Sequence, residues 1–343
     1  MASALFRTLH PAVYHGASRQ PPFFEGWYTR LVSADETTRL AVIAGVILGP
    51  SGHAFVQVLD GVKASSTYHQ FPLSDFWASD REFKVRIGGN TFGLDGISLD
   101  LPGAAGQLVV HDPQPWPVTL ASPGIMGWYA WVPGMECYHG VLSFNHRLSG
   151  ALRLQARTVN FEGGRGYMEK DWGAAFPEAY VWMQTNHFEQ EGICLTASIA
   201  IIPWMRSAFP GQIIGLWIHG KLYRFATYTG ARLERLALSD RQVDWLVRDR
   251  RYRLEIHAVG ADAGLLKGPT RLEMGKRISE TLQGRVQVRL SALQGQTLFE
   301  GLGRHAGLEV FQGPGLLKML GGGGSGEGPG LDPSQGGEQV LRP

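Results

Sequence analysis

The fold is decided by two short runs of the sequence: residues 166–173, which read Gly-Tyr-Met-Glu-Lys-Asp-Trp-Gly, and residues 180–188, which read Tyr-Val-Trp-Met-Gln-Thr-Asn-His-Phe. Neither run has helical spacing, and both mix charged or amide side chains with aromatic ones, which is typical of β-strands. Side chains alternate between the two faces of a strand. We therefore predict that Tyr167, Glu169 and Asp171 share one face.

The same alternation places Lys170 and Trp172 on the opposite face of the first run. In the second run, Trp182, Gln184 and Asn186 are predicted to share a face. If both strands line one barrel, an indole and two amides meet the carboxylates in a single cavity. We expect the functional site in that cavity.

The composition is that of a globular protein with a substantial core, since 44% of the 343 residues are hydrophobic. The 32 basic and 30 acidic residues are interspersed and give a net charge of only +2, so we predict no nucleic-acid partner. The two cysteines, Cys137 and Cys194, indicate no disulfide framework and no metal-ligand spacing. No run is apolar enough to span a bilayer and no secretory signal is visible, so we expect a cytoplasmic location, peripheral to membranes at most.

Short apolar runs divided by turn residues recur along the whole chain. Residues 40–48 are followed by Gly-Pro-Ser-Gly, residues 54–59 by Asp-Gly, and residues 83–87 by Gly-Gly-Asn. Strand-like runs spaced by such turns predict an all-β protein with antiparallel sheets and little helix.

The two halves of the chain repeat one order of segments. In the first half, Glu25-Gly26-Trp27 precedes the apolar run 40–48, and in the second half, Tyr180-Val181-Trp182 precedes the apolar run 193–202. In both halves a further strand then ends at a turn that contains glycine. We predict a duplicated architecture of two similar β-barrels or barrel-like sheets.

This duplication gives the predicted domain organisation. An N-terminal β-domain covers residues 1–160 and a C-terminal β-domain covers residues 161–315. Residues 316–343 are rich in glycine. Such a segment buries too little apolar surface to offset the conformational entropy lost on ordering, so we predict a disordered tail.

A long segment without strand pattern, residues 112–140, contains Trp116, Trp128 and Trp131 and few charges. We expect it to cover an apolar opening. If Trp128 and Trp131 are exposed, they indicate transient contact with a lipid surface.

Five segments together resemble the tocopherol cyclase family. They are residues 23–28 (Phe-Phe-Glu-Gly-Trp-Tyr), 135–140 (Met-Glu-Cys-Tyr-His-Gly), 166–173, 176–177 with 182–186 (Phe-Pro and Trp-Met-Gln-Thr-Asn), and 268–270 (Gly-Pro-Thr) with the strands that follow. The resemblance runs from about residue 10 to residue 315, in the order of the family.

The resemblance implies two lipocalin-like barrels in tandem and a cofactor-independent isomerase. The implied reaction cyclises a prenylated hydroquinone, or a related terpenoid lipid, to a chromanol by protonation of an alkene. The family is also similar to a wider group that includes carotenoid hydratases, in which the position of Glu169-Lys170 resembles an Asp-His pair. The resemblance therefore fixes the fold more firmly than the substrate.

Three carboxylic acids are candidates for the proton donor. Glu169 is the first candidate, and its alternative role is an ion pair with an arginine or lysine. Asp171 is an acid or base candidate, or else an anchor for the turn that follows it. Glu25 is the third candidate, with a structural salt bridge to the other barrel as its alternative. A buried carboxylic acid stays protonated because burial disfavours its charged form.

The other candidate residues bind the substrate or stabilise positive charge. Aromatic faces attract cations, so Trp27, Trp172 and Trp182 are candidates to line the cavity, although most tryptophans in a β core are simply core residues. Gln184 and Asn186 would orient the quinol head or form a satisfied internal network. Tyr167 is a candidate donor to the quinol oxygen.

No metal or other cofactor is predicted. Glu136 and His139 are the one pair with a metal-like appearance, but a three-residue spacing in a strand puts them on opposite faces. The expected partner is a hydrophobic small molecule or prenyl lipid, and no protein partner is indicated. Two alternatives to the cyclase stay open: a non-catalytic carrier of a hydrophobic ligand, and an isoprenoid hydratase.

Overall fold

Extended strands rich in β-branched and aromatic residues form most of the structure. This structure is a computed structural model that describes residues 2–239, 241–271, 273–321 and 339–341. The chain divides into two compact units, of which the first contains Met1–Phe176 with Ala263–Leu282 and the second Pro177–Asp262 with Gln283–Pro343. The prediction of an all-β chain with antiparallel sheets and little helix is confirmed.

The N-terminal part of the first unit carries one short α-helix, α1 (Ala4–Leu9), and a twelve-stranded antiparallel sheet. The strands are β1 (Phe23–Val32), β2 (Arg39–Leu48), β3 (His53–Asp60), β4 (Ser65–Phe71), β5 (Phe76–Ala78), β6 (Lys84–Ile87), β7 (Asn90–Gly93), β8 (Gly96–Leu101), β9 (Ala104–His111), β10 (Cys137–Leu154), β11 (Arg157–Asn160) and β12 (Gly164–Gly173). Short 3₁₀ helices lie at Gly16–Ser18, Leu73–Asp75 and Gly124–Trp131.

The rest of the chain contributes another twelve strands and a second α-helix. The strands are β13 (Tyr180–Thr185), β14 (His187–Phe188), β15 (Ile193–Trp204), β16 (Ser207–Ile218), β17 (Lys221–Ala226), β18 (Arg232–Leu238), β19 (Gln242–Arg248), β20 (Tyr252–Val259), β21 (Gly264–Pro269), β22 (Met274–Ala292), β23 (Thr297–Phe311) and β24 (Gln339–Leu341). A 3₁₀ helix lies at Thr227–Thr229 and the helix α2 at Gly313–Gly321. Strand β21 and the first part of β22 belong to the first unit.

The strand order of the two sheets confirms the predicted duplication. The first sheet runs β4-β3-β2-β1-β12-β10-β9-β8-β7-β6-β5, and the second runs β17-β16-β15-β13-β23-β22-β20-β19-β18-β24. In each, a four-stranded meander begins with a strand that pairs with the last long strand of the sheet: β1 to β4 in the first sheet, and β13, β15, β16 and β17 in the second. Trp27 on β1 and Trp182 on β13 occupy the matching strands, as the sequence predicts.

Each unit has its own apolar core, built from alternate residues of its strands. In the first unit the core includes Trp27, Val42, Phe92 and Met168. In the second unit Val181, Trp245 and similar residues perform the same role. Residues of β20, between β22 and β19, alternate between exposed and buried, as a half-buried sheet requires.

The first unit extends beyond the boundary predicted near residue 160. Strand β12 is hydrogen-bonded between β1 and β10 in the first sheet, so the predicted boundary falls inside this unit. The hairpin of β21 with β22 also belongs to it: the Lys267 backbone N–H donates to Gln57 Oε1 at 2.9 Å, and Gln57 Nε2 donates to the Lys267 carbonyl at 3.2 Å. Contacts between residues more than 200 positions apart are not visible in local sequence patterns.

Two further predictions need correction. Helix α2 covers residues 316–321 of the segment predicted to be disordered, because Leu316 and Leu317 find a buried position; residues 322–338 and 342–343 lie outside the described residues. The segment 112–140 is not irregular throughout, since β10 begins at Cys137. Among the described residues, no helix has both the length and the apolar character needed to cross a bilayer.

Candidate active site

The central strand β12 separates two groups of polar side chains on opposite faces of the first sheet. In the antiparallel pairing with β1, Trp27 lies opposite Lys170 and Tyr28 lies opposite Glu169. Directly opposite residues point to the same face. We call the side that carries Lys170 the lysine face and the side that carries Glu169 the acid face.

The lysine face holds a buried ion pair. Lys170 Nζ lies 2.7 Å from Glu25 Oε1, and both side chains have zero exposed surface. The backbone N–H of His15 donates to both carboxylate oxygens of Glu25, at 3.0 and 2.9 Å. Burial alone would raise the pKa of Glu25, but the charge of Lys170 and the His15 contacts hold that pKa below its ordinary value. Burial lowers the pKa of Lys170 to about 8 in spite of Glu25.

This geometry argues against two sequence-based hypotheses. Glu25 is an ionised partner of Lys170 and lies on the opposite face of the sheet from Glu169, so it is a poor proton donor. Lys170 Nζ also lies 5.2 Å from the ring centroid of Trp27 and 4.5 Å from that of Trp172. Both indoles therefore lie beside a lysine of the protein, on the opposite face of the sheet from Glu169.

The acid face brings together Glu169, Asp171 and a histidine from the neighbouring strand β10. His139 lies directly opposite Asp171, and its Nδ1 is 2.8 Å from Asp171 Oδ1. Its Nε2 lies 3.6 Å from Glu169 Oε2. The Tyr167 hydroxyl donates to Glu169 Oε2 at 2.5 Å. The alternation predicted for Tyr167, Glu169 and Asp171 is thus present, and His139 connects the two acids.

The two carboxylates determine the charge of His139. Burial alone would lower the pKa of this imidazole, but Asp171 and Glu169 outweigh it and raise the pKa to about 9. His139 is therefore an imidazolium at neutral pH, with Nδ1–H donating to Asp171. Its Nε2 is buried without a hydrogen-bond acceptor in normal range, at 3.6 Å from Glu169. If His139 Nε2 and Glu169 Oε2 moved slightly closer together, hydrogen bonds would connect Asp171 to Glu169 through the imidazole ring.

A second carboxylate–phenol pair lies on the same face. The Tyr28 hydroxyl donates to Glu280 Oε1 at 2.5 Å, and both side chains are buried. Burial and the charge of Glu280 raise the pKa of Tyr28 well above its ordinary value, so Tyr28 stays a neutral donor. The rings of Tyr28 and Tyr167 meet edge to face, with centroids 6.5 Å apart. The acid face therefore combines two neutral phenols with a charged imidazole between two acids.

Comparison with known proteins agrees with the family suggested by the sequence. Residues 108–312 match the sequence model of the family described as "Tocopherol cyclase-like". This chain belongs to the tocopherol cyclase-like family. It is similar to the probable chloroplastic tocopherol cyclase of Oryza sativa, with 26% identity over 219 residues that cover 57% of this chain and 44% of the rice protein. The chloroplastic tocopherol cyclase of Zea mays is 25% identical over 204 residues, 55% of this chain and 42% of the maize protein.

Two solved structures share this fold at low sequence identity. A putative AttH protein from Nitrosomonas europaea is 14% identical, with a TM-score of 0.51 over 84% of this chain and 92% of that protein. The protein CghA is 13% identical, with a TM-score of 0.55 over 85% of this chain and 89% of CghA. The matched regions cover less than half the length of the plant relatives but almost all of these two structures.

The second sequence run lies in the second unit of this tocopherol cyclase-like chain. Trp182 and Gln184 are buried on β13, and Asn186 directly follows that strand. His187 Nδ1 lies 2.8 Å from Asn186 Oδ1. The acid face described above consists of first-unit residues alone, and the substrate-binding role of these three residues stays a prediction.

Sequence reasoning missed His139, Tyr28 and Glu280. The sequence pairs His139 only with Glu136, as a metal-like pair, but Glu136 Oε1 accepts a hydrogen bond from Arg271 at 2.8 Å. The available signal was the segment 135–140, which carries part of the family resemblance and contains His139. Once β10 is paired with β12, parity places that imidazole beside Asp171.

His139, Glu169 and Asp171 also form a possible donor set for a cation. Each offers one ligand atom, and the three atoms lie within 4.8 Å of one another. Both carboxylates favour the protonated ring, so a metal ion would have to displace the proton of His139 before the imidazole could bind it.

Proposed function

We propose that this protein is a cofactor-independent isomerase that cyclises a prenylated hydroquinone, or a related terpenoid lipid, to a chromanol. Membership of the tocopherol cyclase-like family and the names of the plant relatives support the reaction class. The observation that carries the proposal is His139, which is held between Glu169 and Asp171 on a largely buried face. Such a group of titratable residues can both give and take back a proton.

In the proposed reaction Glu169 gives a proton to the alkene carbon of the prenyl chain. The phenol oxygen of the substrate attacks the resulting tertiary carbon and closes the ring. The phenol proton leaves to Asp171, so the product has the same composition as the substrate. Glu169 must carry its proton when the substrate binds, and its 5% exposure disfavours the charged form. In that state Asp171, the stronger of the two carboxylate effects on His139, is the charged partner of the imidazolium.

His139 would hold the two acids while the starting protonation states are restored. Its Nδ1–H holds Asp171 Oδ1 at 2.8 Å and its Nε2–H faces Glu169 Oε2 at 3.6 Å. Because both ring nitrogens already carry protons, Asp171 releases the phenol proton to solvent and Glu169 regains a proton from solvent. The ring stays an imidazolium throughout, which agrees with its pKa of about 9.

The two tyrosines would fix the acids in place. Tyr167 donates to Glu169 Oε2 and so holds the orientation of that carboxyl group. Tyr28 remains a neutral phenol because of burial and Glu280, and it provides a hydrogen-bond donor on the same face. Preorganised donors of this kind lower the cost of charge development in a site that excludes water.

Deuterium incorporation tests the proposal directly. The protein is incubated in light and heavy water with prenyl hydroquinones of several chain lengths, kept reduced by ascorbate. We expect a product with unchanged mass in light water and one carbon-bound deuteron in the chromanol formed in heavy water. Absence of chromanol for every chain length would contradict the cyclase proposal, and a gain of one water would identify a hydratase.

A carrier of a hydrophobic ligand is the second candidate, and one cavity favours it. This cavity of about 310 Å³ lies in the first unit and is lined by Arg19, Phe23, Met135, Tyr138 and Trp172, among others. Trp172 and Tyr138 stack with ring centroids 5.5 Å apart. Tight lipid binding that survives the Glu169→Gln replacement, together with a complete lack of turnover, would favour the carrier.

We also propose transient contact with lipid surfaces during substrate uptake. Trp128 and Trp131, in the 3₁₀ segment Gly124–Trp131, are 46% and 39% exposed. Leu120 is 69% exposed, and its carbonyl accepts a hydrogen bond from Trp131 Nε1. Exposed indoles of this kind partition readily to the membrane interface.

A further inference from the structure

Gly26 marks an open place on the acid face. Within β1 every other residue is buried, and Gly26 alone is partly exposed. A Cβ atom added to it would meet no atom of a non-adjacent residue closer than 3.9 Å, the nearest being the Ala44 carbonyl oxygen and Ile43 Cγ2. By strand parity this position faces the same side as Tyr28, because Trp27 faces Lys170.

The register of the sheet places this opening in line with the proton-transfer cluster. His139 lies opposite Asp171, Asp171 opposite Gly26, Gly26 opposite Gly45, and Gly45 opposite Phe55. These five residues form one row across five neighbouring strands. The distance from Asp171 to Phe55 along this row is three strand spacings, or about 14 Å.

The side chain of Phe55 lies over one end of the row. A Cβ atom on Gly45 would lie 2.6 Å from Phe55 Cζ, so the phenyl ring of Phe55 already covers Gly45. Gly26 has no such cover. The open space is therefore bounded by the Phe55 ring at one end and by Asp171 with His139 at the other.

The neighbouring rows form the sides of this space, which we call the Gly26 hollow. On one side the row contains Glu169, Tyr28 and Ile43. On the other side it contains Phe24, which packs against Phe176 edge to face at a centroid distance of 5.3 Å. The sides are thus mainly aromatic or apolar, and the polar groups gather at the Asp171 end.

We propose that the Gly26 hollow binds the flat aromatic ring of the substrate, with a ring hydroxyl directed toward Asp171 and His139. A floor of glycine backbone admits a planar ring, because any side chain there would occupy the space. Phenyl and tyrosine rings at the sides favour aromatic contacts, and the carboxylate–imidazolium end provides partners for a phenolic hydroxyl. The inference rests on the proposed function and adds the position of the reacting head group.

The same geometry assigns a specificity role to Gly26. Its backbone is outside the left-handed region, so an alanine at this position is compatible with the strand. The added methyl group would instead stand where the ring is to lie. Three consecutive residues of β1 then have three roles: Glu25 is a structural acid, Gly26 forms the floor of the hollow, and Trp27 belongs to the core.

Binding of the isolated head group tests the inference without dependence on turnover. The probe is 2,3,5-trimethylhydroquinone, kept reduced by ascorbate, and its affinity for the wild-type protein, Gly26→Ala and Gly315→Ala is measured by isothermal titration calorimetry. Gly315→Ala is the matched control, since its Cβ would meet only Ala179 Cβ, at 3.8 Å. We expect Gly26→Ala to weaken binding by about tenfold or more, and Gly315→Ala to leave it unchanged.

These measurements test the Gly26 hollow independently of the cyclisation reaction. Weaker binding by Gly26→Ala alone supports the hollow, whether or not prenyl hydroquinones are turned over. Equal affinity of Gly26→Ala and wild-type protein, or no measurable binding by a wild-type protein that cyclises prenyl hydroquinones, would overturn it. Circular dichroism shows whether Gly26→Ala folds. If it does not, the probe is added to the wild-type protein and the NMR signals of the Phe24 and Phe55 rings are followed. Line broadening of these signals would support the inference, and unperturbed signals would overturn it.

Discussion

Replacement of Lys170 by methionine isolates the contribution of the buried ion pair on the lysine face. Lys170 Nζ and Glu25 Oε1 are 2.7 Å apart, and neither side chain has exposed surface. Methionine keeps much of the chain volume but leaves the Glu25 carboxylate buried without its cation. Loss of one partner of a fully buried pair costs about 3–5 kcal/mol. We therefore expect the free energy of unfolding of the first unit to fall by this amount.

A double-mutant cycle distinguishes the ion pair from lost packing. Glu25→Gln alone should also be destabilising, because it leaves Lys170 buried without its counter-charge. The double variant, with Lys170→Met and Glu25→Gln together, should lose less stability than the sum of the single variants, since no uncompensated charge remains. Arg147→Met, in a pair whose side chains are 70% and 73% exposed, is a control that should change stability little.

The assay is urea unfolding followed by tryptophan fluorescence. Trp27 and Trp172 lie 5.2 and 4.5 Å from Lys170 Nζ, so they report on this part of the first unit. A cost below about 1 kcal/mol for Lys170→Met, the range of exposed pairs, would refute the reasoning. Strict additivity of the two single variants would refute it as well.

Three further predictions concern the acid face and the exposed tryptophans. The folded-state pKa of His139, about 9, lies above its ordinary value of 6.5. Protonated His139 therefore contributes about 3 kcal/mol to the free energy of unfolding below pH 6.5, and this contribution is lost as the pH rises through 9. The ring signals of His139 in a carbon–proton NMR titration measure this pKa, and Asp171→Asn should lower it. A value near 6.5 in the wild-type protein would contradict the charge assigned to His139. Tyr167→Phe should slow turnover of a prenyl hydroquinone by about tenfold or more with an unchanged melting temperature, and an unchanged rate would exclude a positioning role. Replacement of Trp128 and Trp131 by alanine should reduce cosedimentation with phosphatidylcholine vesicles and leave turnover of a short-chain substrate intact; equal cosedimentation would contradict the membrane contact.

Strand parity explains why the fold and part of the site are predictable from sequence. The alternation of residues 166–173 separates Glu169 from Lys170, and the structure places these two side chains on opposite faces. The order of segments around Trp27 and Trp182 reveals the duplication, because short β-segments keep their order when a fold is repeated. Periodicity of this kind depends only on near neighbours in the sequence.

Contacts between distant strands explain what the sequence does not reveal. His139 meets Asp171 from 32 positions away, and Tyr28 meets Glu280 from 252 positions away. Parity assigns a face to each residue but gives no information about the strand that lies beside it. For the same reason Glu25, an acid candidate in sequence, proves to be the partner of Lys170.

The central claim is that Glu169 supplies the proton for ring closure. Its most direct test is the rate at which Glu169→Gln forms deuterated chromanol from a prenyl hydroquinone in heavy water, with the exposed Glu162→Gln as control and melting temperatures measured for both variants. We predict that Glu169→Gln, folded and still able to bind the hydroquinone, is slower than wild type by about 10²–10⁴-fold, while Glu162→Gln equals wild type. A folded Glu169→Gln protein that forms the deuterated chromanol at the wild-type rate would contradict the account.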